Sequence, residues 1–558
     1  MLRNYVAVLV PIIAIVCYVR LHKGERFGEE QLDVPQIQLK IEEMLRQTWS
    51  NYRKYAWGWD SYSPISHAVG SASYTKAPVG WTIVDSADTL LLAYNYSKSA
   101  ENKEYFLNET YAIQDWIKNT LDYSVANAEM SVFETTIRLL GGLLSSYYLS
   151  NEMNVGDPQV YLDRAIQLAD RLAPAFNKWG SGIPSAVINL SNGNMEGIGE
   201  LAYMVSTAEC TTLQMEFKYL SVLTGNDTYW KLTENVYKKL YEANDILGAF
   251  SGLAPIRIVG SSGKFQSMNF RFGSRGDSFY EYLLKQYLVT HEELYYKLYR
   301  AAMNGMKRYL LKHSYPHGLT YIAERPSGLR NKASSKMDHL VCFMGGLLAM
   351  GATQGLPIEQ ARRMSFWDSD RADDWELAKQ LTYTCYQLYH QSPAGLGPEI
   401  VIFNTDKDSD NDFVPLKVND QWWKSQSEDF YVKPTDSHNL QRPETVESIM
   451  FLYHLTKDQK YRRWGYEILM SFDKNACINC DDPDSKTFVS LDNCMELPTK
   501  RRDATETFWV SETLKYLYLL FQDDIDLTKY IFNTEAHPLP VLEQSLLDEM
   551  GLKTGWSI

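Results

Sequence analysis

The chain has 558 residues, with 69 acidic against 55 basic side chains and a formal net charge of −14. This length exceeds the size at which a single hydrophobic core usually stops growing, so the chain holds either several domains or one large repetitive one. The acidic balance argues against a nucleic-acid partner, which requires a basic surface, and suits a neutral or cationic substrate.

The N-terminus carries one apolar run, residues 5–19. It is short for a membrane-spanning helix, which needs about 17–25 residues, but a thin bilayer such as that of the endoplasmic reticulum tolerates it. A cleaved signal peptide is the alternative, yet the residues after the run lack a small-x-small cleavage pattern. We therefore predict an uncleaved transmembrane signal-anchor over residues 5–21, after a cytosolic tail (residues 1–4) and before a polar luminal stem (residues 22–36).

The orientation of this anchor is not decided by charge. Arg20, Lys23 and Arg26 outnumber Arg3, and the positive-inside rule alone would leave the body of the protein in the cytosol. Sequons for N-glycosylation argue for the lumen instead. They lie at Asn95, Asn108, Asn189 and Asn226.

The cysteines permit one or two disulfides rather than a disulfide scaffold. Cys17 falls in the predicted anchor, and Cys477 and Cys480 have the spacing of a redox motif. No thioredoxin-like pattern surrounds that pair, so we interpret it as a structural or idle pair. The sequence alone leaves open how six cysteines pair: Cys210, Cys342, Cys385, Cys477, Cys480 and Cys494.

From residue 37 to the C-terminus we predict one domain, because helical spacing begins there and no clear composition break follows. Within it a unit repeats: a short loop leads to an acidic residue or a histidine, and then to an apolar helical run. Such units are typical of stacked helical hairpins. The pattern leaves open a closed ring, which would bring the unit starts together, and an open solenoid, whose acids would only complement helix dipoles. The unit starts are Asp85, Glu134, Glu209, Asp277, His339, Glu444 and the pair Glu506 and Glu512.

The unit at residues 441–454 is the clearest of these. Pro443 suits the first position of a helix, and Glu444 and Glu447 follow it on one face. Exposed amides at a helix start favour ionised carboxylates by about 0.3–1 kcal/mol per group. Glu444, beside Arg442, is therefore a candidate general base, although an acid-rich helix start is also common in helices that have no catalytic role.

Several carboxylates that converge in an aromatic-rich luminal protein suggest glycoside hydrolysis, which needs one protonated and one ionised carboxyl group. Glu134 follows Val132 and Phe133, an apolar setting that would favour its neutral form, so we predict it as the acid. Glu444 is the predicted base. Asp277 is the third candidate, placed to bind a sugar hydroxyl or to assist either group.

These residues lie in stretches that resemble glycoside hydrolase family 47, the class I α-1,2-mannosidases, and the resemblance runs from about residue 36 to the C-terminus. The matching stretches are VFETTIRLLGGLLS (132–145), RFGSRGDSFYEYLLKQY (271–287), KMDHLVCFMGG (336–346), LQRPETVESIMFLYHLT (440–456), FWVSETLKYLYLLF (508–521) and FNTEAHP (532–538).

The resemblance implies an all-α fold, an (α/α)7 barrel of helical hairpins over residues 37–558, and an inverting, calcium-dependent reaction. It assigns Glu134 as the general acid, acting through water, Glu444 as the base and Asp277 as the third essential carboxylate. Thr534 would bind calcium through its hydroxyl and carbonyl oxygens. The carboxylates that would hold the waters of the ion are Glu399, Glu447, Glu506 and Glu512.

The same resemblance implies a substrate pocket, and it adds Glu209, Glu399, Glu447 and Glu512 to the residues that bind substrate. It also implies a structural disulfide between Cys342 and Cys385. Arg275 resembles the endoplasmic reticulum subgroup of the family, which mainly removes one mannose from the middle branch of the glycan. The other pocket positions are Arg138, Arg275, His339, Arg442 and Phe508.

The expected enzyme is then a type II, single-pass protein of the endoplasmic reticulum membrane that trims high-mannose N-glycans on glycoproteins, with its catalytic domain in the lumen. A luminal disulfide isomerase or a partner in glycoprotein degradation is not identified by the sequence. Two other hypotheses stay open: a lectin-like glycan-binding protein without turnover, and an inverting glucanase on a barrel of helical hairpins.

Overall fold

The computed structural model describes residues 32–71, 78–405 and 427–558. The predicted tail and anchor, and nearly all of the predicted stem, lie outside the described residues. The chain divides into two compact units, residues 1–37 and 38–558, and every predicted catalytic, substrate-binding and calcium-binding residue lies in the second. The first helix begins at Val34, two residues before the end of the predicted stem.

The described residues contain fourteen helices that form one series, which are numbered here in chain order, and a further helix, Gln544–Met550, follows them. Between the fourteen lie shorter helical segments, two of which, Thr135–Leu140 and Trp509–Thr513, have the π conformation. The fourteen helices are α1 (Val34–Tyr55), α2 (Trp81–Tyr96), α3 (Ala100–Asn119), α4 (Gly141–Met153), α5 (Gln159–Leu172), α6 (Gln214–Thr224), α7 (Asp227–Ala243), α8 (Asp277–Thr290), α9 (Glu293–Tyr309), α10 (Met344–Thr353), α11 (Ser369–His390), α12 (Glu444–Thr456), α13 (Gln459–Asn475) and α14 (Leu514–Leu520).

The helices fall into two kinds according to how their sequences distribute apolar residues. Every residue of α10 and α14 is buried, as expected of helices that are apolar on all sides and lie inside a larger fold. In contrast, α9 buries Tyr295, Leu298, Tyr299, Ala302 and Met306, which recur at helical spacing on one face. Even-numbered helices are therefore inner helices, and the odd-numbered helices that follow them cover their outer side.

The inner helices contact one another in chain order. Helix α2 contacts α4, and the series continues through α6, α8, α10 and α12 to α14. The π segment Trp509–Thr513, which leads into α14, packs against α2. Helix α1 joins the outer side of α14, where Tyr518 donates a hydrogen bond to Glu42, 2.7 Å away. The two ends of the helical series therefore meet.

Short antiparallel strands occupy most of the connections that lead into the inner helices, and one further pair follows the last inner helix; the all-α prediction did not include them. The strands span only two to four residues each, and they pair two by two apart from one three-stranded sheet, formed by the ninth, tenth and eleventh strands. They are β1 (Ser61–Ser63), β2 (Ala68–Gly70), β3 (Glu129–Ser131), β4 (Val187–Asn189), β5 (Met204–Ser206), β6 (Arg257–Val259), β7 (Leu311–His313), β8 (Thr320–Ile322), β9 (Lys336–Asp338), β10 (Ile400–Phe403), β11 (Phe430–Tyr431), β12 (Cys477–Ile478), β13 (Thr487–Phe488), β14 (Leu491–Asn493), β15 (Lys500–Arg501), β16 (Tyr530–Phe532) and β17 (Pro538–Pro540).

Two disulfides are present among the described residues. Cys342, just before α10, is bonded to Cys385 on α11, with their Cα atoms 5.8 Å apart. Cys477 is bonded to Cys480 across three positions of sequence. The two remaining described cysteines, Cys210 and Cys494, are free and buried.

We expect the first disulfide to stabilise the fold much more than the second. It closes a separation of 43 residues, whereas the second closes 3, and the entropy that a cross-link removes from the unfolded chain grows with loop length. The double substitution Cys342→Ala/Cys385→Ala should therefore lower the free energy of unfolding by about 2–4 kcal/mol, as measured by denaturant titration. Cys477→Ala/Cys480→Ala is the matched control, and an equal loss in both variants would contradict the expectation.

One stretch among the described residues, His339–Ala361, has the length and composition to span a membrane. Its mean hydropathy is 1.4, but 83% of its most apolar window is buried within the fold. It includes α10, and a buried core helix meets the same criteria. The predicted anchor at residues 5–21 lies outside the described part of the chain.

Candidate active site

A cavity of about 320 Å³ opens at the N-terminal ends of several inner helices. Its size falls in the range of small-molecule sites, and charged side chains from distant parts of the sequence line it. His339 and Glu399 do not line it but bind residues that do. The predicted site residues that line the cavity are Glu134, Arg138, Glu209, Arg275, Asp277, Arg442, Glu444, Glu447, Phe508, Glu512 and Thr534.

Glu444 is the first residue of α12. Pro443, which was predicted at the first position of the helix, lies immediately before it. The Nδ1 atom of His339 lies 2.8 Å from Oε2 of Glu444. Burial by itself raises the pKa of Glu444, but the hydrogen bond from His339 and the nearby Arg442 guanidinium outweigh it and hold that pKa below its ordinary value. Glu444 is therefore an ionised carboxylate at neutral pH.

Asp277 is the first residue of α8 and has the opposite electrostatic setting. Burial raises its pKa to about 7, and the negative charges of Glu281, Asp338 and Glu444 act in the same direction. A hydrogen bond from the backbone N–H of Ser278, at 2.8 Å, only partly offsets this. The cavity therefore contains one carboxyl group that is ionised at neutral pH and one that retains a proton there for much of the time.

Glu134 is held by charge rather than by the apolar setting that its neighbours predicted. The hydroxyl of Ser131 caps the short helix that contains it, accepting from the Glu134 N–H at 3.2 Å. The Nε of Arg138 donates to its carboxylate at 2.8 Å, and its side chain is 37% exposed. Val132 is buried, but the side chain of Glu134 faces the polar cavity, because the helix directs the two residues to different sides.

Two arginines and one aromatic ring form a wall of the cavity. The guanidinium carbons of Arg138 and Arg442 lie 5.7 and 5.6 Å from the centre of the Phe508 ring. The Nε of Arg442 donates to Glu399 at 2.5 Å. Paired in this way, the arginines present N–H donors around an apolar face, which is a suitable surface for a hydroxylated ring.

Arg275 and Glu209 also line the cavity, and local backbone structure fixes the position of each. Arg275 has a φ of 73°, in the left-handed region, and its carbonyl accepts a hydrogen bond from the Ala208 N–H at 3.0 Å. Glu209 forms a capping box with Ser206, in which each side chain accepts from the backbone N–H of the other at 3.1 Å. The strained turn and the capping box therefore hold both side chains at the cavity.

The β16–β17 hairpin carries Thr534 to the cavity. Asn533 anchors the hairpin by donating to the Ile137 carbonyl at 2.9 Å and to Glu216 at 2.8 Å, and Lys285 donates to the Asn533 carbonyl at 3.1 Å. A Cβ atom at Gly141 would lie 2.6 Å from the Asn533 side chain, so glycine at the start of α4 permits this close approach.

The carboxylates around Thr534 form an unusual concentration of negative charge. Burial and the nearby acids raise the pKa of Glu447 to about 8 and that of Glu512 well above its ordinary value. Burial likewise raises the pKa of Glu535 to about 8, against the effect of Arg138. Oxygen donors that mutually disfavour ionisation are the setting in which a bound cation stabilises the charged forms, and calcium prefers oxygen ligands. Because no three His, Cys, Asp or Glu side chains among the described residues are grouped so as to hold a metal ion directly, these oxygens suit a calcium ion that keeps much of its water.

The sequence interpretation missed most of a buried network beneath the cavity. His537 contacts Asp85 and Asp88 at 3.2 and 2.8 Å, and Lys515 donates to Asp88 at 3.0 Å. Asp85, predicted as a unit start like Glu134, is fully buried in this network and does not line the cavity. Two acids in an otherwise apolar helix are costly to bury unless they are paired. Asp85 and Asp88 could therefore have indicated from the sequence that buried basic partners exist. Glu281 and Glu535 also line the cavity and were not predicted.

Cleavage of a glycosidic bond uses one ionised and one protonated carboxyl group, and this cavity contains both beside an aromatic ring. Residues 44–541 match the model of glycosyl hydrolase family 47. The chain belongs to this family.

The comparisons with individual proteins agree with this assignment. The chain is 52% identical to the endoplasmic reticulum mannosyl-oligosaccharide 1,2-alpha-mannosidase of Saccharomyces cerevisiae, over 99% of this chain and 98% of the relative. It is 43% identical to a mannosyl-oligosaccharide 1,2-alpha-mannosidase of Candida albicans, over 98% and 91% of the two chains. The structure of an alpha-1,2-mannosidase from Trichoderma reesei superposes with a TM-score of 0.78 at 24% identity, covering 91% of this chain and 99% of that one, which supports the fold.

Proposed function

We propose that this glycosidase is an inverting, calcium-dependent exo-α-1,2-mannosidase that trims high-mannose N-glycans on glycoproteins in the endoplasmic reticulum. The observation that carries the proposal is that two carboxyl groups in one cavity have pKa values shifted in opposite directions: that of Glu444 is lowered, and that of Asp277 is raised to about 7. The names of the full-length relatives supply the substrate and the compartment. The arginine at position 275 supports assignment to the endoplasmic reticulum subgroup of the family, which removes mainly one mannose.

We propose further that residues 37–558 form an (α/α)7 barrel. Seven inner helices that contact one another in chain order, with the segment before α14 packed on α2, support this architecture. The long connections that precede the inner helices would then surround one mouth. The β16–β17 hairpin would close the opposite end, because its residues bond to several inner helices.

In the proposed reaction, Glu444 is the general base. It takes a proton from a water molecule as the oxygen of that water attacks the anomeric carbon, while the bond to the leaving oxygen breaks and that oxygen gains a proton. His339 and Arg442 hold Glu444 ionised before the step. Because water attacks from the face opposite the leaving group, the configuration of the sugar inverts.

The proton for the leaving oxygen is assigned to Glu134, acting through a water, with Asp277 as the group that retains a proton near neutral pH. Glu134 is paired with the Arg138 cation at 2.8 Å. Asp277 lacks such a cation, and burial raises its pKa to about 7. In this proposal Glu134 contacts the water that passes a proton to the leaving oxygen, and Asp277 is the carboxyl group that holds the proton beforehand.

This division predicts different pH profiles for the two conservative variants. A proton donor loses its proton as the pH rises through its pKa, so kcat/KM of the unmodified enzyme should fall above about pH 7, the pKa of Asp277. Asp277→Asn should abolish that alkaline limb, whereas Glu134→Gln should retain it. Each variant should lose about 10²–10⁴-fold in kcat, the usual contribution of a positioned acid or base. An unchanged alkaline limb in Asp277→Asn would remove this role from Asp277.

The remaining predicted pocket residues are assigned to the sugar. The face of Phe508 is assigned to stack on a mannose ring, and Arg138, Arg275 and Arg442 are assigned as donors to its hydroxyl oxygens. His339 is assigned to Glu444 rather than to the substrate, since its side chain is only 2% exposed. Acceptors for sugar hydroxyls would be Glu209, Glu399, Glu447 and Glu512.

Calcium would be held by Thr534, and the carboxylates of Glu399, Glu447, Glu506 and Glu512 would hold its waters. When bound, the ion supplies positive charge that orients substrate oxygens and keeps the surrounding carboxylates ionised. Asn533 and Glu216 fix the hairpin that presents Thr534, so the site is preorganised by the protein.

We also propose the type II topology described above, with the anchor at residues 5–21 and a luminal catalytic domain. Three sequons suit a luminal location, since Asn95, Asn108 and Asn226 are exposed. Asn189 is only 9% exposed, and its side-chain amide donates to Asn127 at 2.7 Å. It is therefore the least accessible of the four acceptors.

The experiment that tests this function is analysis of the glycan products from a high-mannose oligosaccharide, with and without a calcium chelator. We expect release of free mannose, initially as the β-anomer because inversion is proposed, and loss of release when calcium is removed. A lectin-like protein would bind the glycan without releasing mannose. A glucanase would leave the oligosaccharide intact, so each alternative gives a distinct result.

A further inference from the structure

His339 is held between the proposed base and two hydroxyl groups. Its Nδ1 atom lies 2.8 Å from Glu444 Oε2, and its Nε2 atom lies 3.0 Å from the Tyr389 hydroxyl and 3.1 Å from the Thr445 hydroxyl. Both ring nitrogens are therefore engaged, and the ring cannot turn without losing hydrogen bonds on two sides. The orientation of Glu444 depends on that of the ring.

These contacts come from three separate elements and are buried. His339 begins the short helix His339–Phe343, Tyr389 lies in the last turn of α11, and Thr445 is the second residue of α12. The exposed fractions of His339, Tyr389 and Thr445 are 2%, 1% and 0%. A buried imidazole nitrogen without a hydrogen-bond partner is destabilising, so the two hydroxyls stabilise this placement of the ring.

The chemistry of the groups fixes the proton on one side of the ring. An ionised carboxylate only accepts hydrogen bonds, so the proton between Glu444 and His339 belongs to Nδ1. A hydroxyl can donate or accept, so Tyr389 and Thr445 satisfy Nε2 whether or not it carries a proton. The carboxylate of Glu444 therefore fixes the proton on Nδ1, and the two hydroxyls hold the ring in place whether or not Nε2 is protonated.

We propose that Tyr389, assisted by Thr445, is a positioning residue that orients His339 and through it the catalytic carboxylate of Glu444. This inference rests on the proposed role of Glu444 as the base. Tyr389 does not line the cavity, so its effect on the reaction passes through His339. Its hydroxyl also lies 3.5 Å from the carbonyl of Arg442, which ties the same side chain to the residues just before α12.

The charge around Glu444 determines what a loosened His339 would change. His339 and Arg442 favour its ionised form, whereas burial opposes it. Asp277, Glu447 and Glu512 also face Glu444, but their raised pKa values leave them largely protonated on the acidic side of the profile. If the ring of His339 becomes mobile, its hydrogen bond offsets the effect of burial less, and Glu444 accepts a proton at higher pH. As the pH is lowered, kcat/KM then begins to fall at a higher pH than in the unmodified enzyme.

The test is Tyr389→Phe, assayed by mannose release over a range of pH. Loss of one hydrogen bond of about 1 kcal/mol should reduce kcat about fivefold, with KM nearly unchanged because Tyr389 does not contact substrate. The acidic limb of kcat/KM should move to higher pH. The matched control is Tyr386→Phe, which lies one turn away on α11 and whose hydroxyl donates to Glu467 at 2.6 Å.

The second hydroxyl supplies an independent variant. Thr445→Val should reproduce the shift of the acidic limb, and Thr445→Ser, which keeps the hydroxyl, should restore the profile of the unmodified enzyme. The proposal would be overturned if the pH profiles of Tyr389→Phe and Thr445→Val coincided with the pH profile of the control, Tyr386→Phe. Absence of mannose release from the unmodified enzyme would instead refute the proposed function, so the two failures are distinguishable.

Discussion

Glu444→Gln should reduce kcat by about 10²–10⁴-fold, the range that a positioned general base contributes, while KM for the glycan changes little. Glutamine has nearly the shape of glutamate, so α12 and its contacts should persist, but an amide cannot take a proton from water. The measurement is steady-state mannose release, combined with glycan binding and thermal unfolding of the same variant. Binding and melting temperature close to those of the unmodified enzyme would place the loss in the chemical step.

The control for this variant is Glu359→Gln, a change of the same kind at a side chain that is 74% exposed and remote from the cavity. Its turnover should equal that of the unmodified enzyme. If Glu444→Gln also retained full turnover, Glu444 could not be the base. If it lost binding and thermal stability together, the residue would be structural rather than catalytic.

Thr534→Ala should weaken calcium binding by at least about tenfold, because the variant keeps the carbonyl oxygen but loses the hydroxyl that is proposed as a ligand. A ligand that binds only the folded state stabilises it, by about 2.7 kcal/mol when its concentration is 100 times its Kd. Calcium should therefore raise the melting temperature of the unmodified protein, and the variant should need more calcium for the same rise. Mannose release should depend on calcium in parallel.

Thr528→Ala is the control for calcium binding, because Thr528 lies in the same C-terminal region but is exposed and donates to Asp526 at 2.6 Å. Its calcium titration should follow that of the unmodified protein. A melting temperature that is indifferent to both calcium and a chelator would count against the metal site. The thermal readout does not depend on turnover, so it tests the site even if the catalytic assignment fails.

Much of the candidate site could be predicted from the sequence because its residues start helices. An acid or histidine followed by an apolar run is a local signal, and Glu134, Asp277 and Glu444 all carry it. Their convergence in one cavity was not a local property. The repeat was compatible with an open solenoid, and only the resemblance to a family favoured closure.

Other features could not be predicted because they depend on side-chain direction. Val132 and Phe133 suggested apolar surroundings for Glu134, but neighbouring residues on a helix point to different sides, and Glu134 pairs with Arg138. His339 shared the pattern of a cavity residue and instead lies behind Glu444. The short strands were missed because two to four residues are too few to show a period of two.

The β16–β17 hairpin has a consequence for how the molecule is made. His537, Asn533 and Ala536 bond to Asp88 on α2, Lys285 on α8 and Lys515 on α14, in the first, middle and last parts of the sequence, yet the hairpin ends only at Pro540. Since a ribosome delivers the chain from its N-terminus, most helices can fold before the residues that complete the cavity exist. A chain that terminated before residue 530 would contain the series of inner helices but not the hairpin, so we expect it to lack activity.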